Sequence, residues 1–438
     1  MPKKIKFICR KPGPKSVKIL ERDAASVSPS LTREYSFVFK KAKGCHVWDV
    51  DARKYLDFAA GVAVANVGHT NPSVINAMKA QMRFATHCGF SDFYAETPVR
   101  FAEKIVSVMP KGIDCVFFSN SGAESVEAAY KLARWHSNKK WCIAFKPSFH
   151  GRTMGALSLT NSSPVQRERF APFLPVKHVP YPYCYRCPVG KKRESCSIEC
   201  LAALEKTMRS VKGDLAGVFF EPIAGEPGYV VPPKEFVVEL RKLCNEYGAL
   251  LAVDEVQSGC FRTGGFLAVS QFGVKPDIVS LSKAIGGGIP IGVTVASSKT
   301  MDWVPGAHAN TFGGNLLACA AGSAALDFMV KKKLGENAKK IGALMLEAFE
   351  EMQLSQPLIG DVRGKGLMIG LELVKNRQTK QIAKKERSAI LCKAAEKGLL
   401  LLPAGQSVIR ICPPLILGKQ LAEKGLEIIE ESISEATI

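Results

Sequence analysis

The sequence of 438 residues contains no uninterrupted apolar run of about 18 residues, so we expect no membrane span. No apolar signal core follows the basic N-terminal segment MPKKIKFICRKPGPK. That segment also lacks the serine-rich amphipathic pattern of an organelle transit sequence. The sequence therefore predicts a cytoplasmic protein. It also lacks internal repeats, which argues against a solenoid or a propeller.

Acidic residues are relatively few: 40 of them face 60 lysines and arginines, which gives a formal net charge of +20. A basic excess of this size can attract nucleic acid or a membrane surface. The basic residues are spread in short groups such as KKAK, GKKR and AKKER, with no aromatic residues interleaved in one stripe. We therefore predict solvated surface charge, part of which guides an anionic substrate or cofactor, and no nucleic-acid partner.

The 14 cysteines are too scattered for a small disulfide scaffold. Most lie in apolar contexts such as ILCKAA and LLACAA, which predicts buried free thiols. Cys184, Cys187, Cys196 and Cys200 differ, because their C-x2-C and C-x3-C spacing could hold a structural zinc or form one or two disulfides. The spacing is shorter than that of a zinc ribbon. We expect this cluster to hold a surface loop together, and we predict no catalytic metal.

The order of the patterns along the chain predicts two domains. GCHVWDVDARKYLDFAAG reads as a hairpin around an Asp51-Ala52 turn, and apolar runs then alternate with helical patterns to about residue 300. That alternation indicates a mostly parallel sheet with crossover helices. One long helical pattern from Asn315 to about Glu351 and a strand pair in DVRGKGLMIGLEL begin a smaller α+β domain. We predict an arm and hairpin at 1–74 that belong to the small domain, a large domain at 75–314 and a C-terminal small domain at 315–438.

Polar residues follow five of the apolar runs. CVFF precedes SNSG, CIAF precedes KPSFHGR, AGVFF precedes Glu221, LLAV precedes Asp254, and IVSL precedes Ser282-Lys283. In open parallel sheets, ligands bind outside the carboxyl ends of the strands. The sequence therefore predicts a functional site at this edge.

Lys283 is the most informative of these residues. An ammonium at the end of a buried run is costly to desolvate, and burial lowers the pKa of a lysine toward the range that nucleophiles and bases need. An amine joined to an aldehyde cofactor also carries no standing charge. Such a cofactor needs a carboxylate for its ring nitrogen and a cradle for its phosphate. Asp254 suits the first role, and Ser121-Gly122-Ala123, before the helical run ESVEAAYKLARW, suits the second.

Each of these residues also has an ordinary structural explanation. Asp254 could cap a helix, Phe149 could be a core aromatic residue instead of stacking on a planar ring, and His150 could be a buried structural histidine. Arg152 could hold a carboxylate with two hydrogen bonds, or it could form a surface ion pair.

Taken together, the motifs SGAE, FHGRT, EP…GE, DEVQSG, SK…GGG and TFGGN resemble those of the class III pyridoxal-phosphate-dependent aminotransferases. The resemblance extends from about residue 30 to the C terminus. It implies the α/β architecture of the PLP-dependent transferases of fold type I: a large domain with a mostly parallel central sheet between helices, and a smaller α+β domain. It also implies that the cofactor is pyridoxal 5′-phosphate.

The resemblance assigns roles around the cofactor. Lys283 would be the Schiff-base lysine and the base that moves a proton at the substrate, and Asp254 would pair with the ring nitrogen. Gln257 would lie beside the phenolic oxygen, and the cofactor ring would lie between Val256 under it and Phe149 over it. The remaining cofactor-binding candidates surround these groups: Ser121, Gly122 and Ala123 at the phosphate, with His150 and Glu221 nearby.

Thr311 of TFGGN would reach the phosphate of a neighbouring subunit's cofactor. The resemblance therefore implies a shared site and a homodimer or larger homo-oligomer.

Three residues indicate the substrates. Arg152 resembles the arginine that binds the α-carboxylate of glutamate or 2-oxoglutarate. Glu226 and Arg410 resemble a switch pair, in which the arginine binds the second carboxylate of 2-oxoglutarate and the glutamate masks the arginine when an ω-amine enters. The pair favours an ω-amino donor with 2-oxoglutarate as acceptor.

Val62 occupies the position at which ornithine aminotransferases carry a tyrosine. An aliphatic residue there is typical of 4-aminobutyrate and acetylornithine enzymes, and we predict 4-aminobutyrate as the donor. Ornithine and acetylornithine aminotransferases remain alternatives. A racemase or epimerase of the same family is another alternative, although those enzymes are expected to carry an aspartate at the position of Glu226.

Overall fold

The five apolar runs that precede polar residues all form strands of one sheet. The computed structural model describes residues 8–9 and 11–436. The helices are α1 (Pro14–Ser26), α2 (Ala60–Ala63), α3 (Pro72–Met82), α4 (Glu96–Ser107), α5 (Gly122–Ser137), α6 (Met154–Leu159), α7 (Leu201–Ser210), α8 (Lys234–Glu246), α9 (Leu316–Lys331), α10 (Leu334–Ser355), α11 (Lys384–Glu396) and α12 (Lys419–Ala436). The strands are β1 (Phe39–Lys43), β2 (His46–Asp49), β3 (Lys54–Asp57), β4 (Cys115–Ser119), β5 (Trp141–Lys146), β6 (Val176–Pro180), β7 (Leu215–Phe220), β8 (Leu250–Asp254), β9 (Ile278–Leu281), β10 (Gly292–Ala296), β11 (Ile359–Lys365), β12 (Met368–Asn376), β13 (Gln381–Ile382), β14 (Leu399–Leu400), β15 (Leu402–Ala404) and β16 (Val408–Ile411). Among the described residues, no helix combines the length and the apolar character needed to cross a membrane.

Seven strands form the central sheet, in the order β4-β10-β9-β8-β7-β5-β6. β10 runs antiparallel to β4 and β9, and every other neighbouring pair is parallel. All side chains of β7 and β9 are buried, as expected for strands with both faces covered. Because β5, β7, β8 and β9 are parallel, their carboxyl ends lie along one edge. The predicted mostly parallel sheet is therefore confirmed.

The hairpin near the N terminus has the predicted turn. β2 and β3 are antiparallel, and Ala52 between them has a left-handed φ of 68°. β3 also pairs in parallel with β14 from the C-terminal part of the chain, in a sheet of order β1-β2-β3-β14. Segments from both ends of the chain therefore share one sheet. The proposed domain boundaries stay predictions.

The C-terminal part contains a mainly antiparallel sheet of order β11-β12-β16-β15, with β13 paired to β12. β11 and β12 are the predicted strand pair. The predicted helical pattern from Asn315 to about Glu351 forms two helices, α9 and α10. Lys333, between them, has a left-handed φ of 50°, which ends the first helix.

The cysteines depart from the prediction at Cys392 and at the clustered group. Cys319 of LLACAA is a buried free thiol, but Cys392 of ILCKAA forms a disulfide with Cys9. The prediction that Cys392 is a free thiol is therefore wrong. The fold brings the N-terminal segment, which carries Cys9, against α11. The four clustered cysteines are free thiols: Cys184, Cys187, Cys196 and Cys200. Among the described residues, no group of histidine, cysteine and acidic side chains has a metal-binding arrangement.

Candidate active site

A cavity of about 260 Å³ lies where the central strands end. The motif residues that follow β5, β7, β8 and β9 reach it, together with the start of α5. Eleven residues proposed from the sequence line it: Gly122, Ala123, Phe149, His150, Arg152, Glu221, Glu226, Asp254, Val256, Gln257 and Lys283. The fold therefore gathers residues that are far apart in the sequence, since Gly122 and Lys283 are 161 positions apart.

Lys283 follows β9 and begins a short 3₁₀ turn. The hydroxyl of Ser282 donates to the Ile291 carbonyl at 2.6 Å, which fixes the backbone just before the lysine. The φ of Lys283 is 49°, a left-handed value that is unfavourable for a residue with a side chain. Burial lowers the pKa of its amine, and nearby Glu226 opposes that shift only in part. A lysine of lowered pKa can act as a nucleophile or a base near neutral pH.

Asp254, His150 and Glu221 form a buried polar group beside Lys283. His150 Nδ1 lies 2.9 Å from Asp254 Oδ2, and the Val256 amide donates to Asp254 Oδ1 at 3.0 Å. Burial alone lowers the pKa of His150, but the contact with Asp254 and the charge of Glu221 raise it overall. Burial also raises the pKa of Glu221, to about 7.

Glu221 holds the neighbouring loops in place. Its Oε1 accepts from the Phe149 amide at 2.7 Å, and its Oε2 accepts from the Gly225 amide at 2.8 Å. The carboxyl group therefore fixes both the loop that carries Phe149 and Arg152 and the loop that carries Glu226.

The N terminus of α5 forms one end of the cavity. Ser121 caps this helix, and its Oγ accepts from the Glu124 amide at 3.1 Å. Gly122 and Ala123 are the first helical residues, so the first turn offers free backbone N–H groups and the positive end of a helix dipole. A Cβ at Gly122 would lie 2.9 Å from Val256 Cγ1, so glycine allows the helix end to approach the cavity closely.

Phe149 and Arg152 form another part of the wall. The guanidinium of Arg152 lies 5.5 Å from the centre of the Phe149 ring. Within the described part of the chain Arg152 makes no ion pair, so the surface-pair explanation is not supported. Its charge is available to a carboxylate in the cavity.

Glu226 and Arg410 meet at the edge of the cavity. Arg410 Nη1 donates to Glu226 Oε1 at 2.5 Å, and 9% of the Arg410 side chain is exposed, against 29% for Glu226. Burial is the largest single influence and raises the pKa of Glu226, but the charge and hydrogen bond of Arg410, together with the charges of Lys283 and Arg152, lower the pKa overall. The glutamate is thus an ionised partner that covers the arginine.

Four proposed residues do not line the cavity. Ser121 is engaged as a helix cap, and Arg410 lies behind Glu226. Val62 lies on α2, whose four residues all have left-handed φ values and which contacts the Lys283 turn. Thr311 is exposed and is not among the residues that line the cavity.

Some residues of the wall were not proposed from the sequence: Gly151, Ile223, Ser258 and Ser282. Each is adjacent to a motif residue, so the motif order could have indicated them. Tyr229 also went unnoticed, although its hydroxyl donates to Gln257 Oε1 at 2.8 Å. Nothing in the local sequence pattern signals that contact.

The wall fits pyridoxal 5′-phosphate by its chemistry. The cavity presents an amine of lowered pKa at Lys283, a carboxylate at Asp254 and backbone N–H groups at Gly122 and Ala123. These are the partners that an aldehyde, a protonated ring nitrogen and a phosphate require. The close approach of Gly122 to Val256 forms the narrow cradle at the helix end.

Comparisons with known proteins identify the family of the chain. The family model described as Aminotransferase class-III matches residues 28–433. A leucine/methionine racemase of Thermococcus litoralis is 39% identical over 90% of each chain. A probable 4-aminobutyrate aminotransferase of Bacillus subtilis is 35% identical over 90% of this chain and 92% of its own.

A solved structure of similar fold is the ornithine aminotransferase from Toxoplasma gondii, which has pyridoxal phosphate at partial occupancy in its active site. Its TM-score is 0.86 at 28% identity, over 96% of this chain and 95% of that chain. The chain therefore belongs to the class III family of pyridoxal 5′-phosphate-dependent aminotransferases and has the fold type I architecture of that family.

Proposed function

We propose that this enzyme transfers the amino group of an ω-amino acid, with 4-aminobutyrate as the best candidate, to 2-oxoglutarate. The observation that carries the proposal is the ion pair of Glu226 with Arg410 at the edge of the cavity. A donor with one carboxylate leaves this pair intact. An acceptor with two carboxylates needs the arginine and displaces the glutamate.

The residues of the wall have separable tasks. When bound, pyridoxal 5′-phosphate supplies an aldehyde that takes up amino groups and a ring that withdraws electrons. Asp254, held by His150 and the Val256 amide, would keep the ring nitrogen protonated. Lys283 would hold the cofactor and then move a proton at the substrate carbon that carries nitrogen, which its lowered pKa permits. Gly122 and Ala123 would hold the phosphate through their amides.

Arg152 supports a carboxylate substrate. Its guanidinium lies on the wall over the Phe149 ring and makes no ion pair with the described side chains, so it can bind the carboxylate of the donor. It can bind the α-carboxylate of 2-oxoglutarate in the same way, while Arg410 binds the second carboxylate. The specificity for the acceptor then depends on how readily Glu226 moves aside.

We also propose that the active enzyme is a homodimer. Phe84, Phe93 and Tyr94 are 87%, 68% and 102% exposed, and Phe312 beside Thr311 is 59% exposed. His87, three residues from Phe84, contacts the Phe312 ring, so the segment of Phe84 lies beside the segment proposed to reach a neighbouring cofactor. Exposed apolar area of this kind favours a second copy of the chain as its partner.

A racemase is the second candidate, because the relative from Thermococcus litoralis carries that name at 39% identity. A racemase must deliver a proton to the cofactor face opposite Lys283, whereas a transaminase need not. The two candidates separate in one assay. A racemase removes the optical activity of an L-amino acid without any keto acid, and a transaminase does not.

A half-reaction panel tests the proposed donor. The purified enzyme with bound cofactor is mixed with 4-aminobutyrate, ornithine, acetylornithine or L-leucine, and the conversion of the cofactor to its amine form is followed by absorbance. We expect the fastest conversion with 4-aminobutyrate. Faster conversion with ornithine, acetylornithine or L-leucine would contradict the proposed donor while leaving the family unaffected.

A further inference from the structure

Tyr229 lies behind the cavity and contacts one of its wall residues. Its side chain is fully buried, and its hydroxyl donates to Gln257 Oε1 at 2.8 Å. Burial, above all, raises the pKa of this phenol well above its ordinary value, so the hydroxyl remains a donor throughout the working pH range. The interaction is therefore a constant feature of the site.

The loop that carries Tyr229 is held from both sides. Ala224 and Val230 close the loop through two backbone hydrogen bonds of 3.0 and 3.1 Å, and Arg363 Nε donates to the Gly228 carbonyl at 2.9 Å. Tyr229 itself has a left-handed φ of 55°. A non-glycine residue adopts this conformation only where the surroundings compensate, and here it directs the phenol inward.

The hydrogen bond determines which end of the Gln257 carboxamide faces the cavity. A carboxamide has an acceptor end and a donor end, and Tyr229 engages the acceptor. Nε2 donates to no group in the described part of the chain and remains available to a ligand. Gly225 leaves room for this arrangement, because a Cβ at that position would collide with Nε2.

We propose that Tyr229 is a positioning residue, which orients the Gln257 carboxamide so that its N–H faces the phenolic oxygen of the bound cofactor. The inference deepens the proposed function and rests on the proposed role of Gln257. Tyr229 also lies three residues from Glu226, so one loop serves both the substrate carboxylate and the cofactor oxygen.

Loss of the hydroxyl has a spectroscopic consequence. An N–H on the phenolic oxygen stabilises its negative charge and weakens its attraction for the proton on the neighbouring lysine nitrogen. Without Tyr229 the carboxamide can rotate and present its carbonyl, so that proton is held to higher pH. We expect Tyr229→Phe to raise the pH midpoint of the cofactor's visible absorbance change by about one unit.

A double-mutant cycle tests the inference on the enzyme with bound cofactor. The pH midpoint is measured for the wild type, Tyr229→Phe, Gln257→Ala and the double variant. We expect both single variants to raise the midpoint and the double variant to match Gln257→Ala. Tyr35→Phe is the matched control, because Tyr35 is a half-buried tyrosine whose hydroxyl donates to the Leu401 carbonyl away from the cavity. Its midpoint should be that of the wild type.

The outcomes distinguish the possible failures. If Gln257→Ala leaves the midpoint unchanged, the role of Gln257 is wrong, and the inference falls with it. If Gln257→Ala raises the midpoint but Tyr229→Phe does not, only the role of Tyr229 is wrong. Additive shifts in the double variant would also overturn it, since they would show that Tyr229 acts independently of Gln257.

Discussion

At Lys283 an unfavourable backbone conformation and a buried amine occur together. A left-handed φ costs about 1–2 kcal/mol for a residue with a side chain, and the three following glycines allow the chain to turn there. The adjoining Ser282 hydroxyl bonds to the Ile291 carbonyl and holds the lysine at the end of β9. The strain is stored where the amine must be held in one place.

The Arg410 guanidinium allows a direct test of the two-substrate switch. We expect Arg410→Ala to slow the half-reaction with 2-oxoglutarate about 100-fold, because a buried carboxylate loses its charged partner. The amine half-reaction should change by much less. Stopped-flow absorbance of each half-reaction measures both rates.

The matched control is Arg152→Ala, since Arg152 is proposed to bind a carboxylate of both substrates. It should slow both half-reactions. Equal losses in the two half-reactions of Arg410→Ala would contradict the switch.

Glu255 predicts a pH dependence of stability. Burial raises the pKa of this carboxyl to about 7, although Ser258 and the Val269 amide donate to it. The native state therefore keeps a proton that the unfolded state releases above its ordinary pKa of 4.5. This carboxyl group therefore stabilises the native state fully when the pH is below 4.5. Its contribution to the free energy of unfolding decreases by about 3 kcal/mol as the pH rises toward 7.

Glu255→Gln removes the titration and keeps the shape. We expect the free energy of unfolding of the wild type, relative to this variant, to decrease between pH 5 and pH 7.5. Denaturant unfolding of both proteins at the two pH values measures the difference. A pH-independent difference would refute the raised pKa.

Among the elements, the turn α2 is the least ordinary. Ala60, Gly61, Val62 and Ala63 all have left-handed φ values, and only one of them is glycine. Asp57 Oδ1 accepts from the Ala59 and Ala60 amides and so fixes the entry to the turn. Because the turn contacts the Lys283 segment, its geometry helps to place the Lys283 amine.

Two substitutions at Val62 measure the cost of its left-handed backbone conformation. Both Val62→Ala and Val62→Gly remove the branched side chain, but only glycine tolerates a φ of 62° without steric cost. We expect the glycine variant to be more stable than the alanine variant by about 1 kcal/mol, the reverse of the order in an ordinary helix. Chemical denaturation of the pair is the measurement. A more stable alanine variant would show that α2 is right-handed or mobile.

Sequence patterns indicated the elements well where periodicity and motif order agreed. The strands before Glu221, Asp254 and Ser282 could be read from apolar runs bounded by polar residues. The break between α9 and α10 could not be read from the sequence. Lys332-Lys333 fits a helix locally, and only the left-handed backbone of Lys333 shows the turn. Element boundaries of this kind depend on tertiary packing.

For the whole molecule, segments from the N-terminal and C-terminal parts of the chain meet. β14 pairs with β3, and Cys9 forms a disulfide with Cys392, 383 residues away in sequence. Neither the Cys9–Cys392 pair nor the Tyr229–Gln257 contact could be read from the sequence, since both depend on where distant segments are folded. The candidate cofactor pocket could be predicted from the sequence, because its residues belong to short motifs that can be read locally.

Cys392→Ser tests the contribution of the disulfide. A cross-link over so long a loop restricts the unfolded chain, and its loss should lower the free energy of unfolding by about 3 kcal/mol. Thermal unfolding with and without reductant measures it. Reductant should destabilise the wild type and leave Cys392→Ser unaffected. An equal response of both proteins would mean that the two cysteines are not bonded in solution.

The central claim is that Lys283 holds the cofactor. The protein is saturated with pyridoxal 5′-phosphate, reduced with borohydride, digested and analysed by mass spectrometry, with Lys283→Ala treated alongside. We predict the cofactor's mass on the peptide containing Lys283, and a Lys283→Ala protein that stays colourless and unlabelled. Specific labelling of a different lysine in the wild type, or equal labelling of Lys283→Ala, would contradict the account.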